Sequence, residues 1–81
     1  MNPKEVNTRE ELSRFILQLR DDLLVNSDDW ENPTLERFLE ALAAYTIAVQ
    51  GYYRFHKMDI DPDAPNWRVF ADILKGARDY E

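Results

Sequence analysis

The chain has 81 residues, with ten Lys and Arg against 16 Asp and Glu, a formal net charge of −6 and no cysteine. This length supports one small helical domain over residues 1–81, and 44% hydrophobic with 32% charged residues is a globular composition, not a disordered one. The acidic balance argues against nucleic-acid and anionic-membrane binding, and the lack of cysteine excludes disulfides and thiolate chemistry.

The first predicted helix, at about residues 9–25, begins at a capping box. Thr8 and Glu11 have the S/T-x-x-E spacing in which each side chain accepts a hydrogen bond from a free backbone N–H at the helix start. Apolar residues then recur at helical spacing in one stripe: Leu12, Phe15, Ile16, Leu19 and Leu23. Leu17 and Leu24 lie on a different side, so we expect this helix to contact two neighbours.

The second predicted helix, at about residues 33–56, starts with Asn32 as N-cap and Pro33 at the first helical position, where a missing N–H costs nothing. Its apolar face comprises Leu35, Phe38, Leu39, Leu42, Thr46, Val49 and Tyr53. Its water side carries Glu36, Arg37, Glu40 and Arg54, with Ile47 close to that side. Small residues flank the apolar face: Ala41, Ala44 and Ala48. Because much of the circumference is apolar, we predict that this helix is the central one.

The third predicted helix, at about residues 65–80, opens at Pro65 after a loop over residues 57–64. Its apolar face comprises Trp67, Phe70, Ile73, Leu74, Ala77 and Tyr80, and its opposite face carries Arg68, Asp72, Lys75 and Asp79. Short connections favour antiparallel neighbours. The predicted fold class is therefore all-α, a three-helix bundle that runs up, down and up around one core.

No pattern in the sequence points to catalysis, a metal or a cofactor. His56 is the only histidine; no serine lies in a nucleophile-like turn, and a place near a helix end is typical of a surface histidine. Asp59, Asp61 and Asp63 begin like a calcium loop, but the Gly and Glu that complete such a loop are missing. We predict a protein that is not an enzyme, with no catalytic residue, no metal and no cofactor.

The most distinctive stretch surrounds Trp30. Six acidic residues and no Lys or Arg lie between Asp21 and Glu36. A tryptophan rimmed by carboxylates can anchor a basic protein partner, because aromatic side chains concentrate binding energy and charge steers association. The alternative is that Trp30 turns inward and fills the end of the core while the acids stay in water. The predicted partner-binding residues are Asp28, Asp29, Trp30, Glu31 and Glu36.

Self-association is the second interpretation of the exposed surface. Apolar residues outside the main stripes would then form the face of a homodimer. They are Leu17 and Leu24 of the first helix, Ile47, and the aromatic cluster of residues 52–55.

The sequence also predicts where the protein works. No apolar run approaches the roughly 18–20 residues that span a bilayer. The first residues lack the basic and apolar pattern of a signal peptide. We therefore expect a cytoplasmic protein that binds neither a membrane nor nucleic acid.

Several strings of residues resemble a family of small uncharacterised bacterial domains. They are DWENPTLERFLEAL at residues 29–42, Gly51-Tyr52-Tyr53, WxxFAxIL at residues 67–74 and the terminal Tyr80-Glu81. The resemblance runs from about Phe15 onward and implies a stand-alone, all-helical bacterial protein with no established activity. By analogy with other small acidic bacterial proteins, the predicted interaction module takes the form of an immunity- or antitoxin-like inhibitor.

Overall fold

Three helices make up most of the protein. The computed structural model describes residues 2–81, and the helices are α1 (Arg9–Asn26), α2 (Leu35–Phe55) and α3 (Trp67–Asp79). Single turns of 3-10 helix occupy Pro3–Glu5 and Ser27–Asp29. Residues 2–81 contain no strand, so the predicted all-α three-helix bundle is confirmed. Within this part of the chain, none of the helices is long and apolar enough to cross a membrane.

The start of α1 agrees with the sequence prediction. Thr8 has extended backbone angles, and its Oγ1 accepts a hydrogen bond from Glu11 N at 3.1 Å. Glu11 Oε1 accepts from Asn7 N at 3.1 Å, one residue further back than in the standard capping box. The two bonds fix the direction in which the chain enters α1.

α2 begins two residues later than the sequence predicts. Its N-cap is Thr34, whose Oγ1 accepts a hydrogen bond from Arg37 N at 3.3 Å. The prediction of Asn32 as N-cap is wrong, and Pro33 lies outside the helix. A threonine directly after the proline offers a second capping side chain, and Asn32 has other partners in the structure.

The same shift occurs at the start of α3. Asn66, directly after Pro65, is the N-cap, and its Oδ1 accepts a hydrogen bond from Val69 N at 2.9 Å. Pro65 therefore precedes the helix instead of opening it. In both helices the proline only restricts the approach of the chain, and the next polar side chain starts the helix.

α2 ends at Phe55 in a Schellman motif, one residue before the predicted end. Lys57 has a left-handed φ of 54°. Met58 N donates to Tyr53 O at 2.8 Å, and Lys57 N donates to Arg54 O at 3.1 Å. The side chain of Met58 packs on the core cluster that contains Tyr53. The motif satisfies two free carbonyls of α2 and redirects the chain toward α3.

Two clusters of buried residues form the core, and α3 contributes to both. One cluster comprises Val6, Phe15, Leu19, Trp30 and Ala71, and the other comprises Val49, Tyr53 and Val69. α3 contacts α1, α2 and the N-terminal 3-10 turn. α3 is therefore the central helix, and the prediction that α2 is central is wrong.

The apolar surface of α2 is larger than the part of it that the other helices cover. Val49 and Tyr53 are buried, as their place on the predicted stripe requires. Leu35 is nevertheless 74% exposed, Leu39 is exposed, and Ile47 is 80% exposed. The apolar pattern identified a helix that needs cover on several sides, whereas within this chain α3 covers mainly one side.

Candidate functional site

The structure leaves four of the five predicted partner-binding residues in water and buries the fifth. Asp28 and Asp29 lie in the exposed 3-10 turn after α1, Glu31 is exposed, and Glu36 is exposed in the first turn of α2. Trp30 is only 8% exposed and belongs to the core cluster of α1 and α3. The interpretation of Trp30 as an exposed anchor is therefore corrected: the tryptophan turns inward, as the alternative had it.

Contacts from all three helices hold Trp30 in place. Its Nε1 donates a hydrogen bond to Asp22 Oδ2 at 2.8 Å, and its ring centre lies 6.0 Å from that of Phe38. The Arg78 guanidinium lies 5.6 Å from the centre of the indole ring, within the range of a cation–π interaction. Because Asp22, Phe38 and Arg78 belong to α1, α2 and α3, the indole joins the three helices at one end of the bundle.

Asp22 is the charged part of this junction. Arg78 Nη1 donates to Asp22 Oδ2 at 2.9 Å, and Asn26 Nδ2 donates to Asp22 Oδ1 at 3.0 Å. The hydrogen bonds from Asn26 and Trp30, together with the Arg78 charge, lower the pKa of Asp22 below its ordinary value of 3.8, although burial opposes them. This carboxylate therefore serves the fold and is not free for a partner.

Asn32 ties the connection between α1 and α2 to the end of α3. Its side chain is buried, and its Nδ2 donates to Ala77 O at 3.0 Å and to Tyr80 O at 2.7 Å. Its backbone N donates to Arg78 O at 3.0 Å. These bonds satisfy carbonyls that the last turn of a helix leaves free, which explains why Asn32 does not cap α2.

Three of the six acidic residues between positions 21 and 36 remain for a partner. Asp21, Asp22 and Glu31 each pair with an arginine, with N···O distances of 2.9, 2.9 and 3.8 Å. The other three have no ion pair among residues 2–81: Asp28, Asp29 and Glu36. The free carboxylates thus lie on the 3-10 turn after α1 and on the first turn of α2.

An apolar groove is lined by sequence neighbours of two of these free carboxylates, Asp29 and Glu36. It runs between α1 and the start of α2 and has a volume of about 280 Å³. Its apolar lining comprises Ile16, Leu19, Leu23, Trp30, Pro33, Leu35, Phe38 and Leu74. Asp29 directly precedes Trp30, and Glu36 directly follows Leu35, so acidic residues flank two of the lining residues. The volume is small for a metabolite site but suits apolar side chains of a protein partner.

A larger cleft of about 610 Å³ lies between α2, α3 and the N-terminal turn. Its lining is polar and aromatic, with Tyr45, Tyr52, His56, Arg68, Asp72 and Lys75 among the residues on it. Within residues 2–81, no three His, Asp or Glu side chains lie close enough together to hold a metal ion.

Asp72, on this cleft, is a second polar residue, after Asn32, whose place the sequence predicted wrongly. It was expected on the water side of α3 but is 8% exposed. Tyr53 Oη donates to Asp72 Oδ2 at 2.6 Å, and Arg68 Nε lies 3.4 Å from the same oxygen. Burial and the hydrogen bond to Asp72 raise the pKa of the Tyr53 hydroxyl. The protonated tyrosine, the carboxylate and the guanidinium hold α2 against α3.

Sequence reasoning also missed Asp22, Asn32 and Arg78 as members of one junction. Their partners are up to 56 residues away in the chain, so no local pattern marks them. Asp72 did carry a signal: it stands three residues after Val69 and four before Gly76, which is the spacing of the buried face of α3.

The residues of the predicted dimer face are exposed except for Tyr53, which is only 2% exposed and belongs to the core, so its place in that face is corrected. Leu17 and Leu24 belong to α1, whereas Ile47, Tyr52 and Phe55 belong to α2. Phe55 is 81% exposed, so the aromatic cluster at the end of α2 does not enter the core as a unit. α3 lies between α1 and α2, which contact each other little. The exposed apolar residues of α1 and those of α2 therefore do not form one continuous face.

Comparison with known proteins identifies one family. Residues 8–81 match the family of unknown function DUF7660. The match confirms the resemblance to an uncharacterised family, and it begins at Thr8, earlier than the position near Phe15 expected from the sequence. No curated protein and no solved structure matches the chain.

Proposed function

We propose that the chain, which belongs to the family of unknown function DUF7660, is a non-enzymatic protein-interaction module. In this proposal the groove between α1 and α2 receives the apolar side chains of a basic amphipathic segment of a partner protein. The observation that carries the proposal is the position of two free carboxylates: Asp29 and Glu36 are the sequence neighbours of Trp30 and Leu35, which line the one mainly apolar groove described above.

Charge and shape both favour a basic amphipathic helix as the ligand. Such a helix lays its apolar face into a hydrophobic groove and keeps its polar face at the rim. Lysines or arginines on that polar face would meet carboxylates that no cation of residues 2–81 neutralises. The protein's net charge of −6 would in addition speed the encounter with a basic partner.

Trp30 has a different role here from that of an exposed anchor. It lines the groove from inside, where Asp22, Phe38 and Arg78 fix its ring. A lining residue held by a hydrogen bond and two ring contacts gives the groove a defined shape before a partner arrives. Preorganisation of this kind lowers the entropy cost of binding.

The biological form that we propose is inhibition of a basic protein in the bacterial cytoplasm. A surface of carboxylates can occupy the site at which a basic protein would otherwise bind phosphates, as immunity proteins and antitoxins do. This part rests on the acidic surface and on analogy with small acidic bacterial proteins, since the fold by itself assigns no function.

Binding of a designed peptide tests the proposal. The probe is a short helical peptide with leucines on one face and lysines on the other, and the control peptide carries glutamates in place of the lysines. Trp30 fluorescence reports groove occupancy in a Trp67→Phe background, which removes the only other tryptophan. We expect saturable binding of the lysine peptide that weakens as salt is added, and no binding of the glutamate peptide.

Two leucines of matched exposure supply the control variants. Leu35 lines the groove and is 74% exposed, whereas Leu24 does not line it and is 75% exposed. Leu35→Ser should raise the peptide Kd about tenfold, because it removes one buried aliphatic contact, and Leu24→Ser should leave the Kd unchanged. Equal effects of the two substitutions, or equal binding of the two peptides, would show that the groove is not the site.

A further inference from the structure

The outward face of α2 lacks charge over most of its length. No charged residue occurs from Ala41 to Tyr53, in a chain that is 32% charged. Within this stretch Ile47 is 80% exposed, and the exposed residues around it on the helix are small or uncharged: Ala43, Ala44, Gln50 and Gly51. Since the solvent face of a surface helix normally carries charges, this face has the composition of a covered one.

Gly51 is unexplained by contacts within a single chain. It lies inside α2, where glycine is less favourable than alanine, and it does not have a positive φ. A Cβ added at Gly51 would meet no atom of the described chain within 4 Å. Glycine also permits the close approach of another backbone, and on this exposed face only a second molecule can supply one.

We propose that this face of α2 pairs with the same face of a second copy of the chain. The two helices run antiparallel, and Ile47 lies at the centre of the contact. Glu40 and Arg54 stand seven residues to either side of Ile47. Residues seven apart on a helix differ in direction by only about 20°, so the three side chains share one face.

Charge complementarity identifies the occupant as a second copy. In an antiparallel pair centred on Ile47, Glu40 of each copy faces Arg54 of the other, so the ion pair occurs twice. Both residues are exposed, and neither forms an ion pair within residues 2–81. Two chains of net charge −6 repel each other, and this face lets them meet with opposite charges at both ends.

The small residues fit the same arrangement. A two-fold contact must be self-complementary, because the same patch supplies both sides. Here Gly51 of one copy lies against Ala43 and Ala44 of the other, so small residues meet small residues on both sides of Ile47. Helix axes that meet through such residues can approach to about 8 Å.

The size of the face sets the expected strength of the dimer. The span from Glu40 to Arg54 covers roughly 20 Å of helix, which is less than an interface of standard size offers. We expect a dimer that forms at concentrations of about 10–100 µM and not in the nanomolar range. The inference does not rest on the proposed groove, which lies between α1 and the start of α2.

Sedimentation equilibrium from low micromolar to millimolar concentration tests the inference. The wild-type protein should dimerise, and Ile47→Glu should raise the dimer Kd at least about tenfold, because it places two like charges at the centre of the contact. Leu24→Glu is the matched control: it adds the same charge at a similarly exposed leucine of α1 and should leave the dimer intact. A wild-type protein that stays monomeric at millimolar concentration overturns the proposal.

Charge reversal tests the antiparallel register. Glu40→Arg and Arg54→Glu should each raise the dimer Kd about tenfold, since each replaces two attractive contacts by two repulsive ones. The double variant should return the Kd to within about threefold of the wild type, because the pairs re-form with their signs exchanged. Both residues are exposed, so circular dichroism should show an unchanged helix content. A double variant no better than the single ones contradicts the arrangement.

Discussion

The two faces of α2 differ most clearly in the surroundings of two glycines: Gly76 of α3, which lies against the inner face, and Gly51 of α2, which lies on the outer face. On the inner face, α2 packs against Gly76 of α3: a Cβ added there would lie 2.0 Å from an atom of the Tyr45 ring. On the outer face, a Cβ added at Gly51 would meet nothing in the described chain within 4 Å. Contacts inside the chain therefore explain one glycine and leave the other unexplained. The contrast shows which side of α2 the fold specifies and which side is left for another molecule.

The inner face is held by polar as well as apolar contacts. Tyr53 bonds Asp72 at 2.6 Å in a buried position, and the ring centres of Tyr45 and Tyr80 lie 5.3 Å apart. The Tyr53–Asp72 hydrogen bond and the Tyr45–Tyr80 ring contact both connect α2 to α3 or to the residue that follows it. A shift of one helix along the other would break both, so these contacts fix the relative position of the two helices. We therefore expect the largest losses of stability on this side of the helix.

Removal of the Asp72 carboxylate should have the largest effect. Asp72→Ala leaves the buried Tyr53 hydroxyl without its acceptor and Arg68 without its ion pair, so we expect the free energy of unfolding to fall by about 3 kcal/mol. Urea denaturation followed by circular dichroism measures it. Asp79→Ala, on the same helix but exposed, is the control and should cost less than about 1 kcal/mol. Similar losses for the two variants would mean that the buried bond adds little to the inner face.

The start of α1 could be predicted because its cap is local. Thr8 and Glu11 are three residues apart, and the hydrogen bond from Glu11 N to Thr8 Oγ1 needs no residue from another part of the chain. At α2 two capping side chains, Asn32 and Thr34, flank Pro33, and the outcome depends on α3. Asn32 bonds Ala77 and Tyr80, 45 and 48 residues away, and this leaves Thr34 as the cap. Sequence spacing alone could not reveal that choice.

The candidate site was predictable to a similar extent. The cluster of acidic residues around Trp30 was evident from the sequence. Which of these carboxylates form ion pairs within the chain was not, because Asp22 and Glu31 pair with arginines outside that stretch. The groove itself forms only in the folded chain, where residues of α1, the α1–α2 connection, the start of α2 and α3 line it together. Likewise, the periodicity of the sequence showed that α2 is apolar on several sides. It could not show which neighbour covers each side, because that depends on how the helices pack in three dimensions.

A methyl group added at Gly76 should have the next largest effect. The new Cβ of Gly76→Ala would lie 2.0–2.5 Å from three atoms of the Tyr45 ring, so the ring must leave its place against Tyr80. Overpacking of this kind outweighs the better helix propensity of alanine, and we expect a net loss of about 2 kcal/mol. Thermal and urea unfolding measure it. Tyr45→Leu combined with Gly76→Ala should recover part of the loss, since the smaller side chain leaves room for the methyl group; no recovery would place the strain elsewhere.

The same substitution at Gly51 should have the smallest effect and the opposite sign. In dilute solution, where the monomer prevails, Gly51→Ala should raise the free energy of unfolding by about 0.5–1 kcal/mol, because alanine is the better helix former and its methyl group enters open space. At high concentration the methyl group should weaken the dimer, since it stands between the two backbones. This one variant therefore tests both the absence of contacts to Gly51 within the chain and the proposed contact with a second copy. A loss of stability in the monomer would reveal an internal role for Gly51, and a gain without any change in self-association would mean that no second backbone approaches it.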